Sequence, residues 1–492
     1  MSTAITASML YNLVECPHRP MMDLYGNPAE RDEISPFVQL LWDRGVLHER
    51  ATIARLALPF LDLSEYVGAE KERRTAEAMA RGEPLIYSGS IQADDLLGVP
   101  DLLRRDGAGY VPGDIKSGAG LEGPEDDKKP KDRYGVQLAL YVDVLERKNS
   151  SAGRRGFIWD VHGEEVPYDL LAPLGERTTR TLWDTYQDCL RLARGIITRA
   201  EATTPAYAAP CKLCYWRSAC LRRLQQEDDL TLIPELGRSR RDAMTARVAT
   251  VRQLASADLP QFIQGKRTIF PRIGPDRLEK FQRRARLLTD PNGSPYLREP
   301  VTFPVAEREI FFDVEFDPFS EMCYLHGFLE RRQGQPERYL PFFADAPTPA
   351  AEEAAFSAAW AYLRASRPRA IYYYSKYERT IWRQLRERYP GVCTGTELEG
   401  LFDPAEAIDL YFDVVLPRTE WPTHDFSIKT LATYLGFAWR DPEPSGAASI
   451  EWYHRWVETG DPAVRQRILE YNEDDCRATR MLLDGIRQLA VR

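Results

Sequence analysis

The chain has 492 residues, 43% of them hydrophobic and 28% charged, a size that accommodates about three domains, each able to bury its own core. A single small module is excluded. A mean hydropathy of -0.44, with no stretch approaching the ~20 apolar residues of a bilayer span, leads to the expectation of a soluble chain without membrane partners. The N-terminal MSTAITASMLYNLVECPHRP lacks the basic run, apolar core and cleavage site of a secretory signal, so a cytoplasmic location is expected. The net charge of -9 argues at first sight against a polyanion partner, but it is unevenly spread. Residues 217–286 carry sixteen Lys/Arg against eight Asp/Glu, which concentrates phosphate affinity in the middle of the chain and acidic groups on its flanks.

In chain order, apolar spacing at three and four predicts helices over residues 1 to about 80, as in FVQLLWDRGVLHERATIARLALPFLDL. From Leu85 to Lys116, short apolar runs separated by Gly, Pro and Asp predict strands and hairpins. GAGLEGPEDDKKPKDRYG reads as a mobile loop, YGVQLALYVDVLERK as a helix, GRRGFIWDVHG as a strand and TTRTLWDTYQDCLRLARGIITRAEA as a long helix. Between 226 and 300, LIPELGRSRRDAMTARVATVRQLA and FPRIGPDRLEKFQRRARLL each place an apolar residue and Gly before a basic helix, similar to helix-hairpin-helix modules. From about 301, strands REIFFDVEFDP, CYLHGFLERR, RYLPFFA and AIYYYS alternate with helices around 351–365 and at KYERTIWRQLRERY, and RQRILEYNEDDCRATRMLLDGIRQLA closes the chain as a helix. That alternation predicts an α/β domain.

The first candidate site lies in GVPDLLRRDGAGYVPGDIKSG. Asp114 and Lys116 are two apart on a strand and share a face, Ile115 turns to the core, and pairing of the two strands brings Asp101 beside them. Two carboxylates can hold a divalent cation and a lysine can orient water or stabilise charge on phosphate. These residues resemble the PD-(D/E)XK nuclease superfamily in its RecB-like branch. The resemblance implies a metal-binding histidine at His48 in GVLHERA and a Q-x-x-x-Y motif at Gln137 and Tyr141, one helical turn apart.

Of the eight cysteines, Cys189, Cys323, Cys393 and Cys476 are scattered and read as ordinary buried thiols. Cys211, Cys214 and Cys220 cluster in CKLCYWRSACLRRL, and Cys16 stands alone near the N-terminus as the fourth thiolate. Four thiolates suit zinc or an iron-sulfur cluster, and spacing alone does not separate them. The resemblance to RecB-like nucleases implies the latter, a 4Fe-4S cluster tying the ends of the domain together.

In the last third, FFDVEFD puts Asp313 and Glu315 on one strand face, and EYNEDDCRA puts Tyr471 and Asp475 on one helix face. An acidic cluster of this kind binds two divalent ions. It resembles the DEDD exonucleases of the RNase H-like fold, in the subtype where a tyrosine four residues before the last aspartate positions the attacking water. The resemblance implies a further acid in YYYSKYERT, where Glu378 stands in place of the expected aspartate. Asp409 is the alternative carboxylate there, and Asp474 the alternative to Asp475. DFSIKTLATYLGF is similar to the segment before the last motif. Tyr372, Tyr373 and Tyr374 suit either base stacking or the core. No G-x-x-x-x-G-K-S/T is present, so a helicase would be a separate partner.

The whole order resembles a bacterial family of RecB-like nucleases fused to an exonuclease. The expectation is therefore an α/β multidomain chain: a PD-(D/E)XK restriction-endonuclease-like domain over 1–225, a small helical connector over 226–300 and an RNase H-like domain over 301–492. It implies a Mg²⁺- or Mn²⁺-dependent DNA nuclease acting on single strands or ends, with RNA processing or a degenerate nucleic-acid-binding scaffold as alternatives and repair or defence proteins as partners.

Overall fold

The computed structural model describes residues 3–56, 59–123, 128–176 and 178–492, and the chain divides into two compact units, 1–205 with 209–220 and 206–208 with 221–492. Among the described residues no helix is long and apolar enough to cross a membrane.

In the first unit the mixed sheet runs, in spatial order, Glu165–Asp169, Arg155–Trp159, Gly109–Ile115, Leu102–Asp106, Leu85–Tyr87 and Leu61–Asp62. The 109–115 strand sits near its centre and is buried throughout. Its neighbours pair parallel on one side (Asp114 opposite Ile158) and antiparallel on the other (Leu102 opposite Gly113). Period-two alternation divides its side chains between two cores. Tyr110 joins the face covered by helix Asp132–Arg147, whereas Val111 and Ile115 pack with Ile53 of helix Pro36–Ala54. The first 80 residues are not uniformly helical. Besides helices Ala7–Glu15, His18–Tyr25, Pro36–Ala54 and Gly68–Arg81 they include strands Ile5–Thr6 and Leu61–Asp62, because both short runs complete sheet edges. Part of the expected loop after Lys116 pairs as a hairpin, Leu121 opposite Pro130, while its residues 124–127 lie outside the described residues.

The second unit begins with the basic segment. Helices Gly237–Met244, Val251–Ser256 and Pro275–Thr289 enclose a core of their own that includes Leu236, Met244, Ile273, Leu278 and Phe281. Both turns that precede a basic helix read apolar-Pro-x-apolar-Gly, at Ile233–Gly237 and Phe270–Gly274, and both hold their third residue at positive φ (Glu235, 66°; Arg272, 62°). This layer is bolted to the two-residue strand Thr419–Glu420, which pairs with Tyr296–Leu297, by Arg284 and Glu420, both fully buried, with Nε 2.9 Å from Oε2. Arg283 adds a bond to the other carboxylate oxygen, and Arg284 also donates to the Pro234 carbonyl. Removing one member of a buried pair strands the other, so Glu420→Ala should lower unfolding stability by about 3–5 kcal/mol, while Arg284→Met with Glu420→Leu recovers much of the loss. Denaturant titration of the three proteins checks this.

The five-stranded sheet has the order Arg338–Phe343, Met322–Arg332, Arg308–Asp317, Ala370–Tyr373, Ala407–Asp409, antiparallel across the first three and parallel across the last three. Ile310, Phe312 and Val314 face one core with Trp382 and Phe356. Phe311 faces the other, beneath helix Pro462–Arg487. Alternation therefore directs Asp313 and Glu315 toward that helix. Tyr372 and Tyr373 are buried, so the aromatic strand is core.

Candidate active sites

In the first unit Asp114 is 1% exposed and its carboxylate lies 2.8 Å from Lys116 Nζ. Asp101 ends the approach to the neighbouring strand. Its Oδ2 accepts the Ile115 N–H at 2.7 Å, and its own N–H donates to Asp114 Oδ1 at 3.4 Å. Burial, and then the Asp114 charge, raise the Asp101 pKa well above the usual carboxylate range. Burial alone would depress Lys116, but Asp114 and Asp101 outweigh it and hold the ammonium protonated. Tyr141 lies across the same acids: its hydroxyl donates to the Val99 carbonyl at 3.4 Å and feels the charges of Asp114 and Asp101. Gln137, one turn earlier, has a buried Oε1 without a hydrogen-bond partner.

His48 behaves differently. Its helix packs on the opposite face of the sheet, through Ile53, and reaches the acids by way of Glu49. Glu49 accepts the Tyr87 hydroxyl at 2.8 Å and bears electrostatically on Asp101. His48 Nε2 is buried with no partner, yet His48, Asp101 and Asp114 do not bring three donor atoms within 4.8 Å of one another.

The second unit holds the tighter cluster. Ligating oxygens of Asp313, Glu315 and Asp475 all lie within 4.8 Å of one another. Asn472 is fully buried, one turn from Asp475, and donates to Asp313 at 2.6 Å and to Glu315 at 3.5 Å. Lys429 Nζ donates to the Tyr471 hydroxyl (3.0 Å) and Asp475 (3.2 Å), and Trp439 donates to Asp475 at 2.7 Å. Burial first, then Asp475, push Glu315 up to about 8 against the hydrogen bonds of Ser449 and Asn472. Asp313 is raised by burial and by Asp475, Glu315 and Glu378. So crowded a set of acids is a fit for divalent cations, which need hard oxygen ligands and relieve the mutual repulsion.

Glu378 opens helix Tyr377–Arg388, 3% exposed, with Oε2 buried and unpartnered. It lies within electrostatic reach of Asp313, Asp409 and Asp475 but outside the 4.8 Å group. The alternatives are otherwise engaged. Asp409 Oδ1 accepts the N–H groups of Ser375, Tyr411 and Phe412. Asp474 is clamped by the Arg440 guanidinium and backbone N–H.

Residues 15–221 match the family model of the PD-(D/E)XK nuclease superfamily, and residues 310–486 match that of the RNase H superfamily. The chain joins a PD-(D/E)XK nuclease domain to an RNase H-like domain. No curated protein matches it. Both domains are of nuclease type, which supports a phosphodiester hydrolase acting on nucleic acid.

In the PD-(D/E)XK domain, Cys16 caps helix Ala7–Glu15. The Cys211–Cys214 turn closes with the Cys214 N–H on the Cys211 carbonyl, and the Trp216 N–H donates to Cys214 Sγ at 3.5 Å. Burial raises the Cys214 thiol, and Cys16 and Cys211 add to it. The thiols thus sense one another, although no three of the four sulfurs lie within 4.8 Å of one another.

Lys429, Asn472 and Trp439 in the RNase H-like domain, and Glu49 in the other, were not singled out from sequence. Lys429, a cation inside the apolar run SIKTLATYL, was the most legible of them. Gly327 carries a further, hidden requirement. It pairs with Asp313 across the sheet, and a Cβ there would fall 1.6 Å from Asn472 Oδ1. Gly327→Ala should displace Asn472 and loosen the acids without altering one of them. The expected result is a fall in cleavage by the RNase H-like domain of about 10²-fold, as for other ångström-scale misplacements, read from single-turnover rates.

Proposed function

We propose that the chain is a metal-dependent DNA nuclease of the cytoplasm with two active sites, organised as 1–225, a basic connector over 226–300, and 301–492. The RNase H-like domain acts as a 3′-5′ exonuclease, and the PD-(D/E)XK domain trims or nicks single strands. The observation that carries this reading is the convergence of Asp313, Glu315 and Asp475 in one nuclease-type domain, alongside the Asp101, Asp114 and Lys116 group in another.

In the exonuclease site Asp313, Glu315 and Asp475, with Glu378 beside them, would hold Mg²⁺ or Mn²⁺, which lowers the pKa of bound water and stabilises the leaving oxygen. Tyr471, whose hydroxyl accepts from Lys429, would orient the attacking water. In the trimming site Asp101 and Asp114 would hold the cation, with His48, Gln137 and Tyr141 around it, and Lys116 would stabilise charge on the phosphate. The orphaned buried atoms of His48, Gln137 and Glu378 favour a ligand at both sites. Cys16, Cys211, Cys214 and Cys220 would hold a 4Fe-4S cluster, which would tie the ends of the domain together. Brown colour with matching iron and sulfide analysis of anaerobically purified protein supports it; zinc in place of iron overturns it.

Labelled single- and double-stranded DNA and RNA, incubated with Mg²⁺ or Mn²⁺, test the main reading. Cleavage that persists unchanged in the Asp114→Ala/Asp313→Ala double mutant overturns it, and cleavage of RNA alone selects RNA processing. The standing of Glu378 outside the tight group favours one second reading, a nucleic-acid-binding scaffold with a degenerate site, which metal-independent binding without cleavage would select.

The acids also make stability depend on pH. The folded pKa of Glu315, about 8, lies above its ordinary value of 4.5, so between these values the folded state binds the extra proton. The contribution of this group to the stability of metal-free protein falls as pH rises through that window, by on the order of a few kcal/mol. Divalent cations offset the loss, so Mn²⁺ should raise Tm more at pH 8 than at pH 6. Glu315→Gln should flatten both dependences in differential scanning fluorimetry.

A further inference from the structure

We propose that Lys376, Tyr377 and Phe412 form a platform for the unpaired terminal nucleotides of a strand entering the RNase H-like carboxylate cluster, so that this site selects single-stranded ends. The inference rests on the nuclease reading of that cluster and adds what it recognises.

Two neighbouring strand ends build the platform. After strand Ala370–Tyr373 the chain turns at Ser375, a non-glycine residue held at φ 100°. After strand Ala407–Asp409 it forms a π-helical turn, Leu410–Val415. Both features are uncommon and concentrate at functional sites. One carboxylate holds the two together, for Asp409 Oδ1 accepts from Ser375 in the first turn and from Tyr411 and Phe412 in the second. The consequence is the placement of two large rings in solvent, Tyr377 (47% exposed) and Phe412 (39%). Lys376 Nζ lies 4.5 Å from the centroid of the Phe412 ring.

Tyr377 links the platform to the acids: it adjoins Glu378, and its partly buried hydroxyl feels Cys323 and then the charges of Glu315, Asp313 and Glu378. Packing accounts for one edge of Phe412, which meets the Tyr411 ring at a centroid distance of 4.8 Å, but does not cover the rest of the two rings. A base face does, since stacking on an aromatic ring requires a nucleotide free of its complement. A lysine on the same spot suits the accompanying phosphate, which the acids would otherwise repel.

The test uses the full chain carrying Asp114→Ala, so that cleavage reports the RNase H-like site. Phe412→Ala and Tyr377→Ala should raise KM for a short single-stranded DNA by about 5- to 150-fold with little change in kcat, whereas Phe412→Trp should retain the wild-type KM. Lys376→Ala should weaken binding and reduce its salt dependence by about one counterion. A 2-aminopurine at the strand terminus should be quenched on binding to Asp114→Asn/Asp313→Asn protein and lose that quenching with Phe412→Ala. Unchanged KM and quenching in both alanine variants, while cleavage still depends on Asp313, overturn the platform alone. Cleavage that does not depend on Asp313 overturns the nuclease reading of the cluster and the platform with it.

Discussion

Asp313→Asn or Asp475→Asn should lower metal-dependent cleavage by the RNase H-like domain about 10³-fold or more, while the fold persists. Metal stabilisation of a phosphoryl transition state amounts to several kcal/mol, and each 1.36 kcal/mol is tenfold in rate. Asparagine keeps the shape of either acid but removes a charge from a set whose oxygens lie within 4.8 Å. Because burial and repulsion raise Asp313, Asp313→Asn should leave the metal-free protein as stable as wild type or more so. The loss of activity then cannot be charged to unfolding. Asp474→Asn is the contrasting control. It weakens a clamp on Arg440 and should cost stability with far less effect on rate. Single-turnover cleavage beside thermal denaturation separates the two, and equal rates for Asp313→Asn and wild type would discard the site.

The second large effect is expected in the PD-(D/E)XK domain. With the RNase H-like site silenced by Asp313→Asn, residual cleavage should fall about 10²- to 10³-fold on Lys116→Met, the loss that follows removal of one group stabilising developing charge. Asp114→Asn should do the same and also destabilise, because it leaves Lys116 without the carboxylate 2.8 Å away. Lys116→Arg is not a rescue. The guanidinium is larger and planar and does not reproduce a point-like ammonium beside the buried Asp114. Residual cleavage that survives Lys116→Met at full rate would place the chemistry elsewhere.

Both sites were legible where their residues lie two apart on a strand or four apart on a helix, for those spacings alone put side chains on one face. Asp114 with Lys116, Asp313 with Glu315, and Tyr471 with Asp475 are of this kind. The choice between Asp474 and Asp475 was narrower. Consecutive helical residues point about 100° apart, so one reaches the sheet and the other meets Arg440. Asp409 was a plausible acid until its carboxylate proved to be the cap of a π-helical turn.

His48 stands in the expected place along the chain, on a helix that packs through Ile53, and its neighbour Glu49 bears electrostatically on Asp101. Lys429, Trp439 and Asn472 come to the acids from separate helices and loops, and the space that admits Asn472 is the missing side chain of Gly327. No local period records such meetings, because they are set by how whole elements pack.

The net charge is a last case. The sequence alone divided it into a basic middle and acidic flanks. Which acids share a proton, which are tied up by arginine or backbone amides, and which rings remain in solvent beside them follow from burial and close packing. Those are properties of distances between residues far apart in the chain, and an electrostatic interaction depends on that distance rather than on sequence separation.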